Sequence, residues 1–163
     1  MPMSEIKEIK TDSMMPVIKN LLREGKGVRI TVTGNSMYPF LRDKKDSVVL
    51  YSTSMDKVRA GDIILIKRKG GNYVLHRVIL KGKQSIYILG DAQRRIEGPI
   101  CSNQILAKAE VIYRGERKVS VNHWFVRKLS LLWTVVIPFR KIIMKSYRRV
   151  RNCQIAVLSS FKK

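Results

Sequence analysis

The sequence predicts a mainly β fold, with a helix before the strands and a basic, apolar helical region after them. From residue 28 apolar side chains recur at every second position, as they do in a half-buried strand. Glycine-containing turns separate the short apolar runs that follow, which indicates a coiled antiparallel sheet. After about residue 118 large apolar residues alternate with basic pairs. We therefore expect a β domain over residues 1–118 and a basic amphipathic helical segment over residues 119–163.

The first predicted element is an amphipathic helix at about residues 12–24. Asp12 or Ser13 can cap its first turn, and Pro16 suits this early position, where a missing N–H leaves no partner unsatisfied. Gly25 is a typical terminator. One face of the helix is predicted to be apolar and consists of Val17, Ile18, Leu21 and Leu22.

Six short segments after the helix are predicted to be strands. The first begins at Val28, where valine and isoleucine alternate with arginine and threonine. Two intervening segments, Gly70-Gly71-Asn72 and Lys81-Gly82-Lys83, have the composition of hairpin loops. The six predicted strands span residues 28–32, 47–51, 62–67, 73–80, 85–89 and 106–113.

The charge of the chain points to a polyanionic neighbour. The formal net charge is +21, from 33 basic and 12 acidic residues, and more than half of this excess lies in about the last third of the chain. Such an excess indicates contact with a nucleic acid or an anionic membrane surface. By contrast, the two cysteines and two histidines do not provide the usual ligands of a structural zinc site, so no metal is expected.

Residues 124–151 favour the membrane as that neighbour. Their longest apolar run is shorter than the roughly 17 to 25 residues that a membrane span needs. An interfacial helix would bury tryptophan, leucine and isoleucine among acyl chains while lysine and arginine meet anionic headgroups. The same charges could contact nucleic-acid phosphates, but a phosphate-binding arm does not need so many large apolar residues. A helix packed on the domain with a solvated basic face is the remaining alternative. We expect no N-terminal signal or anchor, and attachment at the cytoplasmic face.

Ser36 and His76 are the candidate catalytic pair. Gly34 allows a sharp bend just before Ser36, and His76 lies between two valines on one face of a predicted strand. A serine hydroxyl is a poor nucleophile until a base accepts its proton, and histidine titrates near neutral pH. Each residue also has a structural interpretation: Ser36 could cap a turn amide, and His76 could be a hydrogen-bonded core residue.

Four short motifs place this pair in a family context. They occur in the order Ser36-Met37-Tyr38-Pro39, Gly61-Asp62-Ile63, His76-Arg77-Val78 and Gly90-Asp91. In this order they resemble the signal peptidase superfamily of serine proteases, in the branch whose general base is histidine. The resemblance implies a β domain of the signal peptidase type and no metal or organic cofactor. It also implies that Ser36 is the nucleophile, His76 the base and Asp91 the group that orients or supports His76.

The remaining site residues leave alternatives open. The Ser36 backbone N–H is the expected oxyanion donor, and the Asn35 side chain is a candidate for a second donor. Asp62 competes with Asp91 for the third position, but the family pattern places Asp62 near a strand start, where we expect a structural role.

These observations predict a membrane-associated serine endopeptidase that cleaves a signal or leader-like peptide. Two alternatives remain. The Gly-x-Ser-Met form at residues 34–37 also resembles self-cleaving repressor-type proteins of the same clan, which suggests a self-cleaving regulatory protein. The chain could instead be a non-catalytic module that binds a membrane or a nucleic acid, with Ser36 and His76 in structural roles.

Overall fold

The structure is a computed structural model, and it describes residues 11–121 and Leu132. In this part of the chain, helix α1 (Thr11–Arg23) precedes a single sheet of eight antiparallel strands in the order β1-β2-β7-β3-β4-β5-β6, with β8 paired to β7. This confirms the predicted mainly β fold. The strands are β1 (Val28–Thr31), β2 (Asp46–Ser52), β3 (Ile63–Lys67), β4 (Tyr73–Lys81), β5 (Ile86–Leu89), β6 (Glu97–Ile100), β7 (Ile105–Arg114) and β8 (Arg117–Ser120).

Helix α1 lies where it was predicted and buries one face against the sheet. Met15, Ile18 and Leu22 are buried, whereas Val17, which was predicted to belong to the apolar face, is 57% exposed. Gly25 ends the helix with a φ of +74°, and the N–H of Lys26 donates to the Leu21 carbonyl at 3.0 Å. This left-handed glycine satisfies a terminal carbonyl as expected of a helix C-terminus.

The sheet buries apolar side chains on both of its faces. On β3, Ile63 and Leu65 belong to a first core that includes helix α1, whereas Ile64 and Ile66 belong to a second core formed with β4, β5 and β6. Burial on both faces explains why β3 reads as a continuous apolar run rather than an alternating one. Because each face of the sheet has its own core, polar side chains of one strand can be buried on either side of it.

Two hairpins fix the register of β4, which carries the candidate base. The N–H of Arg68 donates to the Asn72 carbonyl at 2.8 Å in the β3–β4 turn, and the N–H of Gly82 donates to the Ser85 carbonyl at 2.8 Å after β4. Both predicted hairpin loops are thus confirmed. In this register His76 pairs with Ile64 and Arg77 with Ile63, so that adjacent side chains of β4 face the second and the first core respectively.

Strands β6 and β8 were not predicted. Strand β6 is an edge strand and contains Gly98-Pro99, which the sequence analysis did not assign to a strand. All four residues of β8 are exposed, and buried Val121 follows them. The predicted domain boundary after residue 118 thus falls within β8. Apart from residues 119–121 and Leu132, the predicted C-terminal helical segment lies outside the described residues.

Candidate active site

Ser36 lies in a loop over residues 32–45 that is closed at its base by Asp46. The backbone N–H of Val32 donates to the Asp46 carbonyl at 2.9 Å, and the backbone N–H of Lys44 donates to the Val32 carbonyl at 2.8 Å. The fully buried Asp46 carboxylate accepts the Arg42 backbone N–H at 2.9 Å and pairs with the Arg42 guanidinium at 2.8 Å. These contacts make the loop a closed unit rather than a loose connection between β1 and β2.

Within this loop the chain turns sharply just before the candidate nucleophile. Gly34 has a φ of +83°, a conformation that favours glycine, and its N–H donates to the Asp43 carboxylate at 2.8 Å. Asn35 is exposed, Ser36 is half-buried, and Met37 is buried in the first core. Burial of Met37 therefore fixes the backbone beside Ser36 while the serine itself retains access to solvent.

The Gly-Asp motif packs directly against the Ser36 backbone. The N–H of Ala92 donates to the Ser36 carbonyl at 2.8 Å. A Cβ atom at Gly90 would lie 2.8 Å from the same carbonyl oxygen, closer than Cβ contacts normally come. The glycine thus permits the turn at residues 90–92 to contact Ser36, and the structure brings together two motifs that are far apart in the sequence.

Arg77 joins this contact to the strand that carries the candidate base. Its guanidinium donates to both oxygens of Asp91, at 2.8 and 2.7 Å, and both side chains are almost completely buried. It also donates to the Gly61 carbonyl at 3.0 Å and lies 4.8 Å from the centre of the Phe40 ring. Charge-assisted hydrogen bonds compensate for the burial of the two charges. The buried pair thereby ties the 90–92 turn to β4.

Asp62 has a different position, at the residue immediately before β3. Its carboxylate accepts the backbone N–H of Arg59 at 2.8 Å and lies 3.9 Å from the Lys108 ammonium. Its own backbone carbonyl accepts the N–H of Val78 at 2.8 Å. These contacts hold the turn that leads into β3, in agreement with the structural role expected for Asp62.

His76 is buried against Glu97 of the edge strand β6. Its side chain is 1% exposed, and Nδ1 lies 3.2 Å from Oε1 of Glu97. The N–H direction is not aligned with this oxygen, so the contact is within ion-pair distance but is not a hydrogen bond. Arg68 holds the same carboxylate, with Nε donating to Oε2 at 2.8 Å and Nη2 donating to Oε1.

Burial and nearby charges set the protonation of this pair. Burial lowers the pKa of His76 from its ordinary value of 6.5; Glu97 and Asp91 oppose this shift, whereas Arg68 adds to it. Burial alone would raise the pKa of Glu97, but the hydrogen bond from Arg68 and the charge of His76 lower it from 4.5. At neutral pH the site therefore combines a neutral imidazole with an ionised carboxylate, which is the state a general base requires.

The structure joins the predicted site residues in two groups. Ser36 contacts the turn that contains Asp91, and His76 contacts Glu97. Among the described residues, no hydrogen bond joins the Ser36 hydroxyl to His76 or connects Asp91 directly to His76. The roles of Ser36, His76, Asp91 and Asn35 therefore stay predictions.

Glu97 is the site residue that the sequence analysis missed. The available signal was weak: Glu97 is the only acidic residue between Asp91 and Glu110, and it follows two arginines. Its contact with His76 depends on the pairing of β6 with β5, where Glu97 lies opposite Ile88. Sequence spacing alone does not reveal that pairing.

A cavity of about 950 Å³ is lined by one contact partner of each of the two candidate residues. Its lining runs from Ala92, which contacts Ser36, to Glu97, which contacts His76. Four cationic side chains also line it: Arg68, Lys69, Arg94 and Arg95. Neither Ser36 nor His76 lines this cavity, so it lies beside their contact partners rather than at the two residues themselves.

Comparison with known proteins gives one family match. A model of the Peptidase S24-like family matches residues 1–93, which is more than half of the chain and includes Ser36, His76 and Asp91. Glu97 lies beyond the matched residues. No curated protein matches the chain. Between residues 11 and 121, no helix is long and apolar enough to cross a membrane, and no three potential ligand side chains are grouped to hold a metal ion.

Proposed function

We propose, on the premise that this chain belongs to the Peptidase S24-like family, that it is a serine endopeptidase with Ser36 as nucleophile and His76 as general base. Membership of this family agrees with the resemblance to the signal peptidase superfamily and supports serine peptidase or self-cleavage chemistry. The choice of endopeptidase, the roles of individual residues and the substrate go beyond the family match.

The proposed reaction uses only side chains and backbone groups of the chain. Ser36 Oγ attacks the scissile carbonyl carbon while His76 accepts the hydroxyl proton. The resulting oxyanion accepts a hydrogen bond from the Ser36 backbone N–H. Asn35 is a candidate for a second donor because it is exposed beside Ser36. His76 then gives its proton to the leaving amine, and water, activated by the same imidazole, hydrolyses the acyl-enzyme.

The observation that carries this proposal is the network that ends on the Ser36 backbone. It runs from the Ser36 carbonyl to the Ala92 N–H, through Asp91, to Arg77, the residue next to His76. A serine that merely caps a turn does not require a buried ion pair to fix its backbone. The network supports a site in which Ser36 must keep a defined position relative to β4. In this site Asp91 supports His76 through its charge, which raises the His76 pKa.

The substrate we propose is a leader or signal-like peptide presented at an anionic membrane surface. The net charge of +21 and the basic, apolar composition of residues 124–151 support attachment of the chain to such a surface. The excess of positive charge favours the cytoplasmic face. Self-cleavage is a second candidate function, because the Gly-x-Ser-Met form at residues 34–37 and the family match both favour it.

The test compares the wild-type chain with Ser36→Ala and His76→Ala on vesicles that contain anionic lipid. Mass spectrometry would follow both a library of leader-like peptides and the chain itself over time. We expect wild-type cleavage of peptides and a loss of at least about a thousandfold in either variant, because removing the nucleophile or base disables the whole unit. Circular dichroism and thermal unfolding would verify that the variants fold.

The two candidate functions predict different products. Peptide products with an intact enzyme chain indicate an endopeptidase that acts on other molecules. Fragments of the chain that form in wild type but not in Ser36→Ala indicate self-cleavage. Undiminished cleavage in a folded Ser36→Ala variant would rule out Ser36 as the nucleophile for either function.

A further inference from the structure

We propose that Glu97 is the positioning residue for His76: its carboxylate accepts the Nδ1 proton and leaves Nε2 free to act as the base for Ser36. This inference rests on the proposed function for its catalytic meaning. Its structural content is the protonation site of the buried imidazole, which can be measured without a substrate.

The first support is the environment of Nδ1. Among the buried side-chain nitrogen and oxygen atoms of the described residues, only His76 Nδ1 has no hydrogen-bond partner. A buried polar atom without a partner destabilises the folded state, because it has lost its hydrogen bonds to water. Glu97 Oε1 is already 3.2 Å away, so a small rotation of the imidazole or carboxylate converts the ion-pair contact into a hydrogen bond. The carboxylate is therefore placed to satisfy this atom.

The second support is the restraint on Glu97. Both of its carboxylate oxygens accept hydrogen bonds from the Arg68 guanidinium, and its backbone pairs with Ile88 of β5. Arg68 is itself fixed, because its backbone N–H donates to Asn72 in the β3–β4 turn. A two-point contact between guanidinium and carboxylate restricts direction as well as distance. Glu97 is consequently held at Nδ1 rather than being free to move into solvent.

The third support is the division of charge around His76. Glu97 and Asp91 are the two carboxylates whose charges raise the pKa of His76, and Arg68 is the cation that lowers it; Arg95 lowers the pKa of Glu97. Both carboxylate oxygens of Asp91 accept hydrogen bonds from the Arg77 guanidinium. Glu97 thus supplies the direct contact with the imidazole, while Asp91 contributes through space. A carboxylate at Nδ1 both selects the tautomer and stabilises the imidazolium that forms during reaction.

The decisive measurement is nitrogen NMR of the His76 imidazole. The chain has two histidines, so His123→Gln leaves His76 as the only imidazole signal in an otherwise full-length protein. We expect neutral His76 to carry its proton on Nδ1. Glu97→Gln should lower the His76 pKa, because a negative charge that raises it is removed, and should weaken the preference for this tautomer.

Glu110→Gln is the matched control, since Glu110 is also a half-buried strand glutamate but has no described contact with His76. We expect it to leave the His76 pKa and tautomer unchanged. A wild-type proton on Nε2, or an unchanged His76 pKa and tautomer in folded Glu97→Gln, would overturn the proposal. If Glu97→Gln fails to fold, the wild-type tautomer decides the question by itself.

The catalytic consequence is tested separately. For a peptide that the wild type cleaves, Glu97→Gln should lower kcat at least about tenfold with a smaller change in KM, and should move the acid limb of kcat/KM to lower pH. Glu110→Gln should leave both unchanged. An unchanged kcat and an unmoved acid limb would contradict a positioning role. If no peptide is cleaved by the wild type, the proposed function fails, while the NMR result still decides whether Glu97 fixes the imidazole proton.

Discussion

The contact between Gly90 and Ser36 shows how closely single residues define the candidate site. The Ser36 carbonyl occupies the space that a side chain at position 90 would need, with 2.8 Å between the oxygen and an added Cβ. The φ of Gly90 is not among the positive ones in this chain, so the requirement for glycine is one of space. A single methyl group can therefore test whether the position of Ser36 matters.

We predict that Gly90→Ala lowers kcat for peptide cleavage by about tenfold or more, because the methyl group must displace the Ser36 backbone and small misplacements of reacting groups are costly. The added volume should also destabilise the fold by about 1 to 3 kcal/mol. Gly70→Ala is the control, since nothing lies within 4 Å of its added Cβ. Kinetics and urea unfolding would measure both. Activity equal to wild type in Gly90→Ala would show that the 90–92 turn does not position Ser36.

At the same scale, sequence reasoning located candidate residues but could not establish their contacts. The four motifs indicated Ser36, His76 and Asp91 because their order is typical of a known superfamily. The order gave no reason to pair Asp91 with Arg77, since that contact depends on which face of β4 each side chain occupies. Glu97 was missed for a related reason: it reaches His76 only after β6 joins the sheet.

At the scale of elements, the closed loop over residues 32–45 is the unit that carries Ser36. Asp46 closes it through Arg42, and burial of this carboxylate, which would raise its pKa, is outweighed by hydrogen bonds and charge from Arg42. The pKa of Asp46 is thus lowered from 3.8. The ionised carboxylate stabilises the fold above that pH, and the contribution is lost as the pH falls through the lowered pKa.

We predict that Asp46→Asn lowers the free energy of unfolding by about 1 to 3 kcal/mol near neutral pH, because a charge-assisted buried contact with Arg42 is lost. The difference from wild type should shrink in acid, where wild-type Asp46 becomes protonated. Asp43→Asn is the control in the same loop, because asparagine retains an oxygen that can accept the Gly34 N–H. Urea unfolding at several pH values would test this, and a loss that does not change with pH would contradict the assigned role of the Asp46 charge.

Elements with a strong hydrophobic period were predictable, and elements without one were not. Strand β1 alternates half-buried and exposed residues, as its sequence indicated, and α1 lies at the predicted residues. Strand β8 is exposed along its whole length, so it has no pattern to detect. Strand β6 contains a glycine and a proline that are typical of turns, although an edge strand tolerates proline.

At the scale of the whole molecule, the net charge of +21 is the feature that the folded domain does not explain. More than half of the excess positive charge lies in about the last third of the chain. Both tryptophans of the chain, Trp124 and Trp133, occur in that third. Their fluorescence is consequently a direct probe of the proposed membrane contact.

We predict that vesicles containing anionic lipid shift the tryptophan emission of the full chain to shorter wavelength, because Trp124 and Trp133 enter the less polar interface. Neutral vesicles should produce a smaller shift, and added salt should weaken binding. Duplex DNA at matched phosphate concentration is the comparison. Binding to DNA with no blue shift on any vesicle would favour the nucleic-acid alternative over the membrane.

The sequence predicted the type of sheet but not the order in which its strands pair. Alternation and turn spacing indicated an antiparallel sheet, and the sheet has that form. The order of its strands could not be derived, because β7 pairs with β2 and β3 far along the chain from it. Such long-range pairing depends on how two cores fill on opposite faces, and local patterns do not encode it.

The adjacent positions of His76 and Arg77 on β4 have a consequence for which substitutions the fold can tolerate. His76 lies beside Glu97, while Arg77 faces the opposite side of β4 and binds Asp91 and Gly61. We therefore expect a substitution at position 76 to leave intact the contacts by which Arg77 holds Asp91 and Gly61. A substitution at position 77 would instead remove the two hydrogen bonds that Arg77 donates to the buried Asp91 carboxylate.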